Sequence, residues 1–208
     1  MDFLFNQNVL LYIAAYLLSA IPFGFILAKV FAGVDVRKEG SGNIGATNVL
    51  RVLKEKAPEL AKKLTIATFA LDATKGAIII LIAMVLGAEP SVLWTIAVLS
   101  VLGHCYSIFL GFEGGKGVAT GFGVLLVLVP IPSFVAIAAW FIAGKVLKIS
   151  SLSSLVGLIV LLIASHLLYP DMPDIHTHTP IWIIAFMIFY KHIPNIIRIF
   201  KKEEKQIV

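Results

Sequence analysis

Seven apolar stretches, at roughly 8–31, 64–87, 91–112, 118–130, 132–147, 152–169 and 179–199, occupy most of this 208-residue chain. About 20 helical residues cross a bilayer's hydrocarbon core, and fewer suffice when a segment is short or tilted. With 59% hydrophobic and only 14% charged residues, against about a quarter charged in soluble domains, the expected fold is an all-α integral membrane protein. Its length suits one membrane-embedded domain over residues 1–208, with a basic tail at 198–208. The opening "MDFLFNQN" lacks the positive region of a secretory signal, so the first apolar segment reads as a retained helix. The single cysteine, Cys105, excludes an intrachain disulfide.

The stretch 118–147 is too long for one span and short for two. "VPIP", Val129 to Pro132, can break it, because proline removes a backbone donor and disfavours helix before it. Charge favours the break. Lys and Arg cluster at Lys29–Lys63, Lys116, Lys145–Lys148 and Lys191–Lys205, with Lys75 as the exception. Seven crossings put every cluster on one side, and basic loops stay cytoplasmic. The expectation is seven transmembrane helices, N-terminus outside and C-terminus cytoplasmic. The net charge of +5 then reflects topology and implies no nucleic-acid partner.

The unusual text falls on the cytoplasmic side. "EGSGNIGATNVLR" (39–51) contains Gly40, Gly42 and Gly45 in a G-x-G-x-x-G spacing. A membrane helix precedes it, so the βαβ context of a dinucleotide site is missing. Glycines also let backbone N–H groups converge on an anion. A short helix after them, with Thr47 or Asn48 as cap, would aim its positive end at the same place. Ser41 and Asn43 add donors, and Arg51 adds a fork suited to phosphate. "GFEGGKGVATGFG" (111–123) repeats the theme with Gly114, Gly115, Lys116 and Gly117. It is no Walker A loop, since Leu110 replaces the first glycine and Gly117 the Ser or Thr. Two such loops on one side suggest two phosphate-bearing substrates.

In "KHIPNIIRIFKKEE", His192, Asn195 and Arg198 share roughly one helical face. Pro194 suggests a kink or a fresh helix start near His192, and "KKEEKQIV" reads as a solvated tail. Ser151 lies on the same side, with helix capping as its simplest role. Asp72 and Lys75, at i, i+3 inside the second span, require pairing or a polar cavity, because each unpaired charge costs ~2.5–3.5 kcal/mol there. A structural pair supporting the first loop is the main expectation, and direct substrate contact the alternative. "HLLYPD" spells an H-x4-D pair from His166 and Asp171, interrupted by Pro170 and placed at the outer end. "DIHTH" offers Asp174, His176 and His178 as weak metal ligands; a solvated loop explains them better. His104 and Cys105 are adjacent, hence about 100° apart on a helix and poorly aimed at each other.

Together these motifs resemble the bacterial acyl-phosphate:glycerol-3-phosphate acyltransferase family (the PlsY type). "GSGNIGATNVLR" (40–51) and "GHCYSIFLGFEGGKGVATGFG" (103–123) match its first two motifs, and "LDATKG" (71–76) and "SSL" (150–152) match shorter segments. In the third motif His192, Asn195, Ile196 and Arg198 agree, with Glu204 matching a terminal glutamate; Ile193 replaces a common Arg and Lys202 a common Gly. The resemblance implies acyl transfer from acyl-phosphate to the 1-hydroxyl of sn-glycerol 3-phosphate, giving lysophosphatidate and phosphate for phospholipid synthesis. It implies no cofactor and no metal, membrane lipids as surroundings, and coupling to an enzyme that makes acyl-phosphate. It assigns His192, Ser41 and Asn195 to catalysis. Gly42, Asn43, Gly45, Thr47 and Asn48, with Ser41, would hold the acyl-phosphate headgroup, and Gly40 is a further substrate-binding residue. Arg51, Lys116 and Ser151, with His192 and Asn195, would hold glycerol 3-phosphate. His104, Gly114, Gly115 and Gly117 complete the binding set. Either His192 or the donor's own phosphate takes the hydroxyl proton. The rival from another class is a transporter of a phosphorylated or anionic solute, which would line both sides with polar residues.

Overall fold

A computed structural model describes residues 6–205. Met1–Phe5, in the opening segment, and Gln206–Val208, in the tail, lie outside the described residues. Every regular element among the described residues is helical. The chain runs through α1 (Gln7–Ala20), α2 (Phe23–Ala32), α3 (Ala46–Lys56), α4 (Pro58–Val85), α5 (Pro90–Cys105), a 3₁₀ turn at Ile108–Leu110, α6 (Val118–Leu128), α7 (Pro130–Leu147), α8 (Ser150–Leu168) and α9 (Thr179–Phe200).

The first apolar segment is two helices, not one. Pro22 has no N–H to continue the ladder, and α1 and α2 meet at a 42° bend there. The break expected in 118–147 falls at Val129, where Pro130 opens α7 in the first helical turn. Five helices are long and apolar enough to cross a membrane, and six if the bent α1–α2 pair is one span. Helix α6, with 11 residues, is about 16 Å long and falls below a full span. Helix α3 is amphipathic: Val49, Val52 and Leu53 are buried against its neighbours while Lys54, Glu55 and Lys56 are exposed.

Ile80, Ile96, Val101, Leu125, Ile181 and Ile184 form the core. The periphery carries Ile78, Phe134, Phe141, Ile159 and Phe186 in exposed positions, an apolar coat that suits lipid rather than water. Lipid gives helices no hydrophobic reason to associate, so close packing through small residues matters more. A Cβ at Gly103 would strike the Tyr16 carbonyl of α1, and one at Gly123 the Ala73 carbonyl of α4. These contacts bind α5 to α1 and α6 to α4.

Asp72 and Lys75 are paired, as expected, at 2.8 Å with side chains 4% exposed. Their support goes elsewhere than to the first loop. The Lys75 ammonium also donates to the Ile21 carbonyl at 3.1 Å, beside the Pro22 break, and faces His104 Nδ1 at 2.9 Å. Helix α9 runs unbroken through Pro194 instead of restarting. The His166/Asp171 pair does not form. His166 stacks on His178 at 3.9 Å, and Asp171 bonds His176 at 2.7 Å. Those residues sit in the last turn of the 19-residue α8 or beyond it, about 28 Å from its start.

Candidate active site

One end of the bundle gathers α3, the start of α8, the end of α9 and both glycine loops around a cavity of about 130 Å³. Ser41, Asn43, Gly45, Thr47, Asn48 and Arg51 line it from the first loop and α3. His104, Lys116 and Gly117 come from α5 and the second loop, Ser151 from α8, and His192 and Asn195 from α9. Gly42 and Gly114 line a second cavity of about 410 Å³, which shares Ser41, Asn43, Lys116 and Asn195 with the first. Gly40 and Gly115 line neither. Each stands where a side chain would collide, Gly40 against Asn48 Oδ1 and Gly115 against His104 Nε2.

The first loop is organised by Asn48, which is 2% exposed. Its Oδ1 accepts from the Ser41 amide at 2.8 Å. Its Nδ2 donates to the carbonyls of Val36, Asn43 and Glu39 at 2.9, 2.8 and 3.2 Å. Neither Thr47 nor Asn48 caps α3. Gly45 is the N-cap, which frees Asn48 to reach back across the loop. Thr47 bonds the Ser150 hydroxyl at 3.1 Å and so ties α3 to α8. Likewise Ser151 caps nothing, because Ile149 is the N-cap of α8.

The second loop folds back on the end of α5. The Gly115 amide donates to the His104 carbonyl at 3.0 Å, and Phe112 to Ser107 at 2.8 Å. This fold delivers Lys116 into the cavity. Burial lowers its ammonium pKa to about 8; Glu204 opposes the shift, while Arg198 and Arg51 add to it. The group therefore stays charged near neutrality and gains from an arriving anion.

The two cavity histidines are held in opposite tautomers. Lys75 beside Asp72 can only donate to His104 Nδ1, so the neutral ring carries its hydrogen on Nε2. His192 Nδ1 faces the Ile188 carbonyl at 2.7 Å; a carbonyl only accepts, so Nδ1 holds the hydrogen and Nε2 a lone pair.

Sequence reasoning gave Ser150, Ser154 and Glu204 no place at the cavity and Asp72 only an alternative one, and all four line it. The tail is not simply solvated. Lys202 adopts φ +59°, and the Lys202 and Glu203 amides donate back to Ile199 and Arg198, a Schellman turn that returns Glu204 to the site. The family's glycine at that position was the signal for a left-handed turn.

The family model described as glycerol-3-phosphate acyltransferase matches residues 9–202. A relative from a Nitratiruptor species, named glycerol-3-phosphate acyltransferase, is 59% identical over all of this chain and 99% of its own length. One of the same name from Sulfurimonas denitrificans is 57% identical over the full length of both. Among solved structures, PlsY, an integral membrane glycerol 3-phosphate acyltransferase in its glycerol 3-phosphate form, is 36% identical with a TM-score of 0.86, over 97% of this chain and 96% of that one. Its lysophosphatidic acid form aligns with a TM-score of 0.84. Full-length identity, the shared fold and the matched motifs agree, and this chain belongs to the glycerol-3-phosphate acyltransferase family.

Proposed function

We propose that the protein transfers a fatty acyl group from acyl-phosphate to the 1-hydroxyl of sn-glycerol 3-phosphate, yielding lysophosphatidate and phosphate for phospholipid synthesis. The observation that carries this reading is the convergence of two glycine loops, Lys116 and Arg51 on one cavity that also holds His192 and Asn195. Two phosphates need two sets of donors, and the acyl chain needs the apolar bundle below.

The glycerol oxygen attacks the acyl carbon, a C–O ester bond forms, and the bond from that carbon to the phosphate oxygen breaks. A mixed anhydride is already activated, so orientation and stabilisation of developing negative charge supply the acceleration. The first loop, with Ser41, Gly42, Asn43, Gly45, Thr47 and Asn48, holds the donor's phosphate. Arg51, Lys116, Ser151 and Asn195 hold the acceptor. The hydroxyl proton goes to His192 Nε2, whose lone pair the Ile188 contact leaves available, or directly to the departing phosphate. An acyl-phosphate-forming enzyme must supply the donor.

The same reading places α1–α2 as one bent crossing and α4 to α9 as six more, with the N-terminus outside and the site at the cytoplasmic face of an inner membrane. Cysteines introduced at Ser91 and Asp174 should label from outside, and those at Glu55 and Glu203 from inside. Labelling of Glu55→Cys from outside would overturn the orientation.

Purified protein in detergent, given acyl-phosphate and glycerol 3-phosphate, should release lysophosphatidate without any gradient. Solute uptake into vesicles with no product would favour the transporter instead. Arg51→Lys keeps charge but loses the bidentate fork, so the KM for glycerol 3-phosphate should rise more than that for acyl-phosphate.

A further inference from the structure

The Glu204 carboxylate is the centre of a three-way junction. Its Oε1 accepts from Ser151 Oγ at 2.7 Å and Asn195 Nδ2 at 2.5 Å, and its Oε2 accepts from Arg198 Nε at 2.7 Å. Ser151 and Asn195 belong to different helices, and both line the cavity with Glu204 itself. An ionised carboxylate can only accept hydrogen bonds. Burial pushes the Glu204 carboxyl upward, but the bonds from Ser151, Asn195 and Arg198 outweigh it and hold the group below its usual range. It is therefore ionised at neutral pH.

The consequence follows from counting hydrogens. Ser151 has one hydroxyl hydrogen, and Glu204 engages it; what Ser151 can offer a ligand is a lone pair. Asn195 gives one of its two Nδ2 hydrogens to Glu204, which fixes the amide plane and leaves Oδ1, an acceptor, on the opposite edge. A phosphate dianion presents acceptors alone and finds no donor in Ser151 Oγ or Asn195 Oδ1. A glycerol hydroxyl donates, and it fits both.

Resting on the acceptor assignment above, we infer that Glu204 is a positioning residue that makes Ser151 and Asn195 hydroxyl readers. They recognise the alcohol groups of glycerol 3-phosphate, and its phosphate is left to Lys116 and Arg51. Glu204 thereby selects a polyol phosphate over a bare alkyl phosphate without touching the substrate.

Glu204→Gln tests this with two constants measured on the full-length protein: the KM for glycerol 3-phosphate and the Ki of n-propyl phosphate, which has the phosphate but no hydroxyl. Glutamine can present its own N–H groups, so Ser151 and Asn195 lose their enforced roles. The expected result is a KM raised roughly tenfold, the loss of about one neutral hydrogen bond, with the Ki changed less than twofold; Glu204→Asp should recover part of the loss. An unchanged KM, or a KM and Ki that rise together, overturns the inference, since a collapsed site would weaken both ligands. Ser151→Ala gives the same readout if Glu204→Gln does not fold: a selective rise in KM supports hydroxyl reading, and equal effects refute it. Wild-type protein that makes no lysophosphatidate would instead refute the function on which the inference rests.

Discussion

The two glycine loops meet at one cavity but are held there by different means. The first hangs on a single side chain, Asn48, which bonds one amide and three carbonyls of the loop. The second is clamped by backbone, with Gly115 against the His104 carbonyl, over a buried Asp72–Lys75–His104 cluster. A loop organised by one amide can be dismantled locally. A loop resting on buried charges fails together with the bundle beneath it.

The sharpest way to break the comparison is Lys75→Ala. It leaves Asp72 buried with only His104 Nδ1, 3.6 Å from its Oδ1, as a partner; breaking a buried pair typically costs about 3–5 kcal/mol, so the variant should melt early in detergent and lose activity. The double variant Asp72→Asn with Lys75→Met should regain folded protein but little activity, because nothing then fixes the His104 tautomer. Recovery of full activity would show that the cluster serves stability alone.

Asn48→Ala should act more narrowly. Leaving buried amide and carbonyl groups unpaired costs about 1–3 kcal/mol. The KM for acyl-phosphate should rise while that for glycerol 3-phosphate moves less. An equal rise in both would mean that the loops do not divide the substrates.

The charge that the second loop delivers sets a pH dependence. Lys116, with its pKa at about 8, is an ammonium below that pH and loses its proton above it, so in the proposed role its hold on phosphate should weaken as pH rises through 8. KM for the substrate it holds should climb by up to about tenfold per unit there. Lys116→Arg stays charged and should flatten that rise, even if its base rate is lower.

The smallest effect belongs to the tail. Lys202 sits at φ +59°, where an L side chain is strained by roughly 1–2 kcal/mol and glycine is not. Lys202→Gly should raise thermal stability modestly and leave KM for glycerol 3-phosphate intact. A loss of stability would mean that the lysine side chain compensates for its backbone.

Legibility in the sequence followed the range of the interaction. Spacing alone put His192 and Asn195 on one face of α9, and both are buried at the cavity. Proline chemistry located the break at Val129. Yet Pro22, equally visible, lies in an apolar run at 8–31 that is about the length of one span, so its length calls for no break. The Asp72–Lys75 pair could be read at i, i+3, but its third member, His104, lies 29 residues from Lys75 and no local pattern points to it. Cap assignment failed for a related reason. Thr47 and Asn48 are good caps in isolation, and each is drawn off by a tertiary partner. Glu204 sits among charges that normally mark a solvated end, and only the chain reversal at Lys202 carries it inward.

The opposed tautomers of His104 and His192 give the cavity a sense of direction that its net charge does not. One ring offers a hydrogen, the other a lone pair. A bound molecule turned end for end would meet donor with donor and acceptor with acceptor, losing both contacts. A three-carbon acceptor such as glycerol 3-phosphate carries a donating hydroxyl at one end and a phosphate that only accepts at the other. A wall that sorts hydrogens from lone pairs can therefore tell the alcohol end from the phosphate end, and in the proposed reaction that sorting would select the carbon that receives the acyl chain.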